Sequence, residues 1–221
     1  GLIPGFAESV RVILSHLGCA ARITEGGEVA GLAEAVETGC DLVFTADDYR
    51  FVALAPRRGR LVDNAAATAQ GFVAGLERLA ERQGARRALR GQAVLVIGCG
   101  EVGSAACRRL LERGARVALY DVKAERARAL VAAAEVAGKA AGRVAVEPDL
   151  SAALARHRLL FEASPAALTI PDEALRPDTL VAAPGVPLGV SAAGAAALGA
   201  RLLHDPLQTG VAVMLLEALR P

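Results

Sequence analysis

A chain of 221 residues, 53% hydrophobic and 22% charged, can bury one large or two small cores without disulfide support and is too apolar to be disordered. Its formal net charge of +1 excludes a global field that would draw it to nucleic acid or anionic lipid, so recognition falls to local pockets. The four cysteines, Cys19, Cys40, Cys99 and Cys107, have neither C-x-x-C pairing nor zinc-ligand spacing, and no apolar run reaches the roughly 18 residues of a membrane span.

From the N-terminus, Phe6, Val10, Ile13, Leu14 and Leu17 recur at helical spacing, and Gly18 follows as a stop. A short strand is expected near Ala20 to Ile23. Past Gly26 and Gly27 a second helix runs through Val29, Leu32, Ala35 and Val36 and ends near Gly39. In DLVFTADD, residues 41 to 48, Leu42, Val43 and Phe44 read as a buried strand whose C-terminal end carries Asp47 and Asp48. Polar residues at that edge of a parallel sheet face the usual ligand crevice. Arg60 to Val62 adds a strand and Ala65 to Arg82 a long helix. GARRALRG then reads as a polar connector, where a domain boundary is placed: 1–90 as an α/β substrate-binding lobe, 91–221 as a Rossmann domain. Arg82, Arg86, Arg87 and Arg90 around it read as a solvated helix face and linker. With aromatics at 3%, the interleaved rings that stacking on bases requires are absent.

From Ala93 the order is strand, helix, strand, helix in alternation. AVLVIG, EVGSAACRRLLERG, ARVALYD, VKAERARALVAAAEVAG and RVAVE are followed by LLFEAS, TLVAAP, ARLLHD and a last helix from about Leu207 to Leu219. Such alternation predicts an α/β fold with a doubly wound parallel sheet.

VLVIGCGEVG places Gly98, Gly100 and Gly103 in a G-x-G-x-x-G pattern between an apolar strand and a helix. Gly98 permits the tight turn, Gly100 lets main chain approach a pyrophosphate, and Gly103 lets the helix pack against the strand. The next strand ends in Asp121, about 20 residues on, where a carboxylate accepts the ribose hydroxyls of an adenosine. This predicts a dinucleotide site. Asp121 repels a 2′-phosphate and so favours NAD over NADP, although Lys123 and Arg126 nearby leave the second open. Cys99 reads as a small filler of the turn. A glycine-rich turn without a ligand is the plain alternative.

Three later loops, EASP at 162 to 165, APGVP at 183 to 187 and DPLQTG at 205 to 210, leave strand ends where the nicotinamide half of such a cofactor lies. Cofactor-binding positions are therefore expected at Gly98, Gly100, Glu101, Val102, Gly103, Asp121, Ala163, Ser164, Pro165, Pro184, Gly185 and Pro206. The prolines stiffen the loops, or merely end the strands. Asp47 and Asp48 can bind a substrate ammonium and help remove its proton, or serve as a solvated turn or helix cap. Asn64 can hydrogen-bond substrate or cap the following helix. His16, His157 and His204 have no triad spacing and read as structural or exposed.

Taken together, GLIPGFAESV, ADDYRF, GRLVDN, VLVIGCGEVG, LLFEASPAALTIP, VAAPGVPLGVS and DPLQTGVAVMLL resemble, in order and over essentially the whole chain, the pyrrolysine-forming dehydrogenase (PylD) family. The resemblance implies an N-terminal lobe, a Rossmann domain with NAD, and oxidation of the terminal amine of 3-methylornithyl-Nε-lysine to an imine that cyclises to a pyrroline. By position, Asp47 resembles the family's carboxylate near the reacting amine and Asn64 its substrate-contacting amide, with Asp48 a neighbouring second choice. It also implies further residues ahead of Gly1, including a helix that closes on substrate and a Ser/Gly-rich loop.

The expected activity is thus that of an NAD-dependent amine dehydrogenase, catalytic at Asp47, Asp48 and Asn64. The expected partner is a dipeptide-like lysine isopeptide, with no nucleic acid, membrane or metal, in a reduced cytoplasmic setting; a homodimer stays open. Two alternatives remain. One is another small amino-acid dehydrogenase of two-lobe plan, of shikimate or ornithine type; the first lobe lacks the lysine a shikimate-type site uses. The other is a non-catalytic dinucleotide-binding module.

Overall fold

The helical recurrence of Phe6, Val10, Ile13 and Leu14 folds as α1 (Phe6–His16) in the computed structural model, which describes residues 5–84, 89–136, 138 and 142–220. Gly18, with φ of 86°, lies just beyond it. The second periodic run becomes α2 (Glu28–Glu37). Between the helices the strand expected at Ala20 to Ile23 is absent. That segment is irregular: of its side chains only Ala21 packs inward, and no described strand offers it a hydrogen-bonding edge.

A three-stranded antiparallel sheet follows, of β1 (Val43–Ala46), β2 (Phe51–Ala55) and β3 (Arg60–Asp63) in that order. This corrects the expectation of a parallel sheet at Asp47. FVALA is a second apolar run close enough to fold back directly, so Ala46 pairs with Phe51 and residues 47 to 50 close a hairpin. β3 leads straight into α3 (Asn64–Arg82).

Contacts divide the chain into two compact units, Gly1–Thr68 with Leu207–Pro221, and Ala69–Pro206. The expected boundary near residue 90 differs from this at both ends, and the reason is where apolar side chains are buried. From Ala69 onward α3 contributes Phe72, Val73, Leu76, Leu79 and Ala80 to the core of the second unit. The C-terminal helix, Gln208–Leu219, instead gives Met214 and Ala218 to a cluster with Ala53, Ala55 and Ala67 of the first unit. Its Val211 and Leu215 join Val10 and Leu14 of α1. Part of the predicted connector, residues 85–88, which includes Arg86 and Arg87, lies outside the described residues.

The second unit contains β4 (Ala93–Ile97), α4 (Glu101–Glu112), β5 (Arg116–Tyr120), α5 (Ala124–Val136), β6 (Val144–Val146), α6 (Leu150–Arg156), β7 (Leu159–Glu162), β8 (Leu180–Ala182), α7 (Ala192–Leu198) and the short β9 (Leu202–Leu203). The C-terminal helix is α8. Six parallel strands run in the order β6-β5-β4-β7-β8-β9. Winding starts at β4, proceeds outward to β6, then returns to the other side of β4, which is the Rossmann order.

The continuous apolar character of β4 has a direct cause. Val94 and Val96 face a cluster with α3, α4 and α5, while Leu95 and Ile97 face one with α6, α7, Ile170 and Val190. Both faces are covered, so alternation gives way to uniformly apolar strands. No described helix is long and apolar enough to cross a membrane.

Candidate functional site

The β4–α4 turn is built as the glycine spacing requires. Gly98 has φ of 91°, and a Cβ there would lie 2.9 Å from the main chain of Ala163 and Ser164. Both the backbone angle and the close approach of the next loop demand glycine. A Cβ on Gly103 would collide with the Gly98 carbonyl oxygen, so α4 can lie against the turn only without one. Gly100 is different: a Cβ there would meet nothing within 4 Å. The space above it is open, and Gly100, as N-cap of α4, supplies no capping side chain. The first N–H groups of α4, at Glu101 and Val102, therefore face outward with the positive end of the helix dipole behind them, an arrangement suited to phosphate oxygens.

Asp121 steadies this turn. Its Oδ2 accepts the Cys99 N–H at 2.7 Å and its Oδ1 the Lys123 N–H at 2.8 Å, while Gly98 N donates to the Tyr120 carbonyl at 2.8 Å. The half-buried carboxylate is thus fixed beside the glycine turn with its lone pairs only partly used. Burial, and then the nearby Asp121 charge, push the Cys99 thiol up to about 12. A thiol so placed stays protonated and is no nucleophile.

The loop after β7 adjoins the same turn, with Ala163 N donating to the Ile97 carbonyl at 2.8 Å. Ser164 turns back through its N–H and Oγ onto Glu162 Oε1, at 3.0 and 2.5 Å, and Pro165 is exposed. The loop after β8 lies against this one, since a Cβ on Gly185 would stand 2.6 Å from the Ser164 carbonyl oxygen. Pro184 and Gly185 are half-buried, and Ala183 holds His204 through its carbonyl, 2.7 Å from Nδ1. Pro206 is exposed beyond β9. Gly98, Ala163, Ser164, Pro184 and Gly185 therefore share the C-terminal edge of β4, β7 and β8, on both sides of the switch point between β4 and β7.

Asp47, Asp48 and Asn64 belong to the first unit. Asp47 closes the β1–β2 hairpin, where its Oδ1 accepts the N–H groups of Tyr49 at 2.8 Å and Arg50 at 2.7 Å. These bonds, Tyr49 first, hold its carboxyl below the usual carboxylate range. Asp48 is exposed in the same turn. Asn64 does not cap α3. Its Oδ1 accepts the Thr68 hydroxyl at 3.2 Å, and the cap is Asp63, whose Oδ1 accepts the Ala65 N–H at 2.9 Å. Arg50 pairs with Asp63 at 2.9 Å and ties the hairpin turn to the start of α3. The three predicted positions thus sit at one edge of the antiparallel sheet, with Val52 opposite Asp63 in register.

Sequence reasoning passed over Glu162, Arg50 and Asp63. For Glu162 the signal is an acid closing the apolar run LLFE. For Asp63 it is an Asp directly before a helical pattern.

Residues 1–62 match the family described as pyrrolysine biosynthesis protein PylD, N-terminal domain, and residues 87–176 a family described as putative NAD(P)-binding. Pyrrolysine synthase of Methanosarcina acetivorans is 30% identical over 219 residues, covering 99% of this chain and 78% of its own. The chain belongs to the pyrrolysine synthase family. The Methanosarcina barkeri pyrrolysine synthase is 28% identical, covering 99% of this chain and 77% of its own. Among solved structures, quinate dehydrogenase from Corynebacterium glutamicum in complex with NAD has a TM-score of 0.64 at 16% identity, over 98% of this chain and 88% of that one. Shikimate 5-dehydrogenase from Thermus thermophilus in complex with NADP(H) and shikimate has 0.62 at 20%, over 98% and 90%. At these identities the likeness is one of fold. As a pyrrolysine synthase family member with an NAD(P)-binding domain, the chain is an oxidoreductase of pyrrolysine biosynthesis that uses a nicotinamide dinucleotide and a small-molecule substrate.

Proposed function

We propose that the chain oxidises the terminal amine of 3-methylornithyl-Nε-lysine with NAD, opening the way to the pyrroline ring. The observation that carries the cofactor half is the open space above Gly100 at an N-terminus of α4 that has no side-chain cap, beside the fixed carboxylate of Asp121. Bound there, the nicotinamide dinucleotide would supply a two-electron hydride acceptor. The α4 N–H groups hold its diphosphate, Asp121 accepts the adenosine ribose hydroxyls, and Val122, 86% exposed, offers an apolar face to adenine. Because Asp121 is an anion at that ribose, a 2′-phosphate is disfavoured and NAD is the cofactor of choice. Ala163, Ser164, Pro165, Pro184, Gly185 and Pro206 line the nicotinamide half.

In this reading the first unit holds the isopeptide. Asp47 is ionised at neutral pH because the Tyr49 and Arg50 N–H groups stabilise its charge. Oδ1 is committed to the turn, and Oδ2 is assigned to the substrate ammonium. A carboxylate whose proton affinity is depressed is a weak base, so Asp47 orients the amine and its exposed position lets the amine's protons pass to solvent. Asp48 adds charge at the same turn, and Asn64 offers an amide to the substrate. Once the ammonium has given one proton to solvent, oxidation removes a hydride from the carbon and a second proton from the nitrogen, leaving an imine. Attack on that carbon by the other amine of the ornithine unit, with departure of ammonia, closes the ring.

The test is direct. Mixed with the isopeptide and NAD, the protein should form reduced cofactor in step with ammonia, and calorimetric titration should give tighter binding of NAD than of NADP. Cofactor binding without any reduction would remove the substrate assignment, and tighter NADP binding would remove the role given to Asp121.

A further inference from the structure

Glu162 ends β7 with 0% of its surface exposed, a carboxyl placed inside the fold. Its Oε1 accepts three hydrogen bonds, from Ser164 N–H at 3.0 Å, Ser164 Oγ at 2.5 Å and Thr169 Oγ1 at 3.2 Å. Its own carbonyl accepts from Gly185 N at 3.3 Å. The single Thr169 hydroxyl hydrogen is shared with the Gly189 carbonyl, 3.4 Å from Oγ1, which also accepts Ile170 N–H at 2.9 Å. The carboxyl fills the space that two glycines leave. A Cβ on Gly185 would stand 2.7 Å from Oε2, and one on Gly189 would stand 2.6 Å from Cδ. Three chain segments that have no ladder with one another, 163–165, 169–170 and 185–189, converge on one side chain.

We propose that Glu162 is a positioning residue that clamps these loops into the shape the nicotinamide half of the cofactor requires. The proposal rests on the dinucleotide reading above for its cofactor consequence, and on geometry alone for the clamp. Being fully buried, Glu162 is out of reach of a cofactor; it acts through Ser164 and Gly185, the loop positions assigned above to the nicotinamide half. Oε2 is buried without a partner among the described residues, and burial pushes the carboxyl above its ordinary range against the pull of the Ser164 and Thr169 hydrogen bonds. The titratable group facing it is His204, whose ring is held across Ala183. Its register partner is Ile97, and the groups in contact with its side chain are Ser164, Thr169 and the glycines at 185 and 189, none of them charged.

A clamp that works through its accepting oxygen predicts an ordering that one dependent on charge does not. Glu162→Gln keeps an accepting oxygen on an uncharged side chain of the same length, and should retain NAD affinity within about twofold, with unchanged amide exchange at 164, 170 and 185. Glu162→Ala should accelerate exchange at those amides at least roughly tenfold while β4 and β5 amides hold, and weaken NAD by a similar factor. Thr169→Val, which removes one donor and leaves the cofactor loops intact, should raise exchange at 170 alone. The clamp is overturned if Glu162→Gln behaves like Glu162→Ala, if Glu162→Ala leaves loop exchange unchanged, or if Thr169→Val does. Failure of the wild-type protein to bind NAD would instead strike the dinucleotide reading, since the exchange pattern stands without ligand.

Discussion

The turn after β4 and the turn after β1 each follow a short strand, yet they are built on opposite terms. In residues 98–103 the main chain is left bare, and the acid that steadies it, Asp121, comes from a different strand. In residues 47–50 the acid steadies its own turn, with Asp47 accepting from Tyr49 and Arg50. A ligand at the first meets N–H groups and partial positive charge; a ligand at the second meets a carboxylate held ionised. Two turns of similar size thereby offer opposite charge, the first to an anion and the second to a cation.

The largest expected effect comes from filling the bare turn. In Gly103→Ala the new methyl meets the Gly98 carbonyl, so α4 or the turn must shift. Unfolding in urea should show the second unit weakened by about 3 kcal/mol, with NAD binding lost. Gly100→Ala is its counterpart, because the added methyl meets only open space. Its unfolding midpoint should match wild type while calorimetry shows NAD affinity reduced. Equal destabilisation by both would erase the distinction between a packing glycine and a ligand-facing one.

At the second turn, Asp47→Asn keeps an oxygen for the Tyr49 and Arg50 N–H groups but removes the charge. The hairpin should survive, and kcat/KM for the isopeptide should fall roughly 30-fold with NAD affinity unchanged. Unaltered turnover would leave Asp47 a turn former only.

A smaller effect separates Glu162 from both turns. Burial raises its proton affinity in the folded chain. Above the ordinary Glu value of about 4.3 the unfolded chain ionises there while the folded chain keeps its proton, so the folded state loses ground as pH rises. The loss is about 1.4 kcal/mol per pH unit and ceases once pH passes the folded value. Glu162→Gln lacks this term. Denaturation of the two proteins across the acidic to neutral range should show the variant gaining on wild type as pH increases, and parallel profiles would mean that Glu162 is ionised throughout.

How much of this could be read beforehand depends on how local the cause is. Apolar β4, the glycine spacing and Asp121 lie within one strand-helix-strand stretch, and the parallel sheet follows from their alternation. The hairpin at Asp47 was harder to see. DLVF alone is compatible with either sheet, and pairing is decided by FVALA folding back on it. Capping of α3 was one of two roles open to Asn64, and Asp63 one residue earlier performs it, a shift of the kind helix boundaries invite. Glu162 was invisible as a clamp because its partners, Thr169, Gly185 and Gly189, come from two later loops. Likewise nothing in VAVMLL says which unit buries it.

That last helix has a consequence for the order in which the protein is made. Residues 69–206 are contiguous and emerge from the ribosome together, whereas the first unit lacks Val211, Met214, Leu215 and Ala218 until α8 has followed them. The nucleotide-holding part can therefore mature while its companion still waits for its last helix, and a premature stop shortly before residue 207 would leave a hole where those four side chains belong.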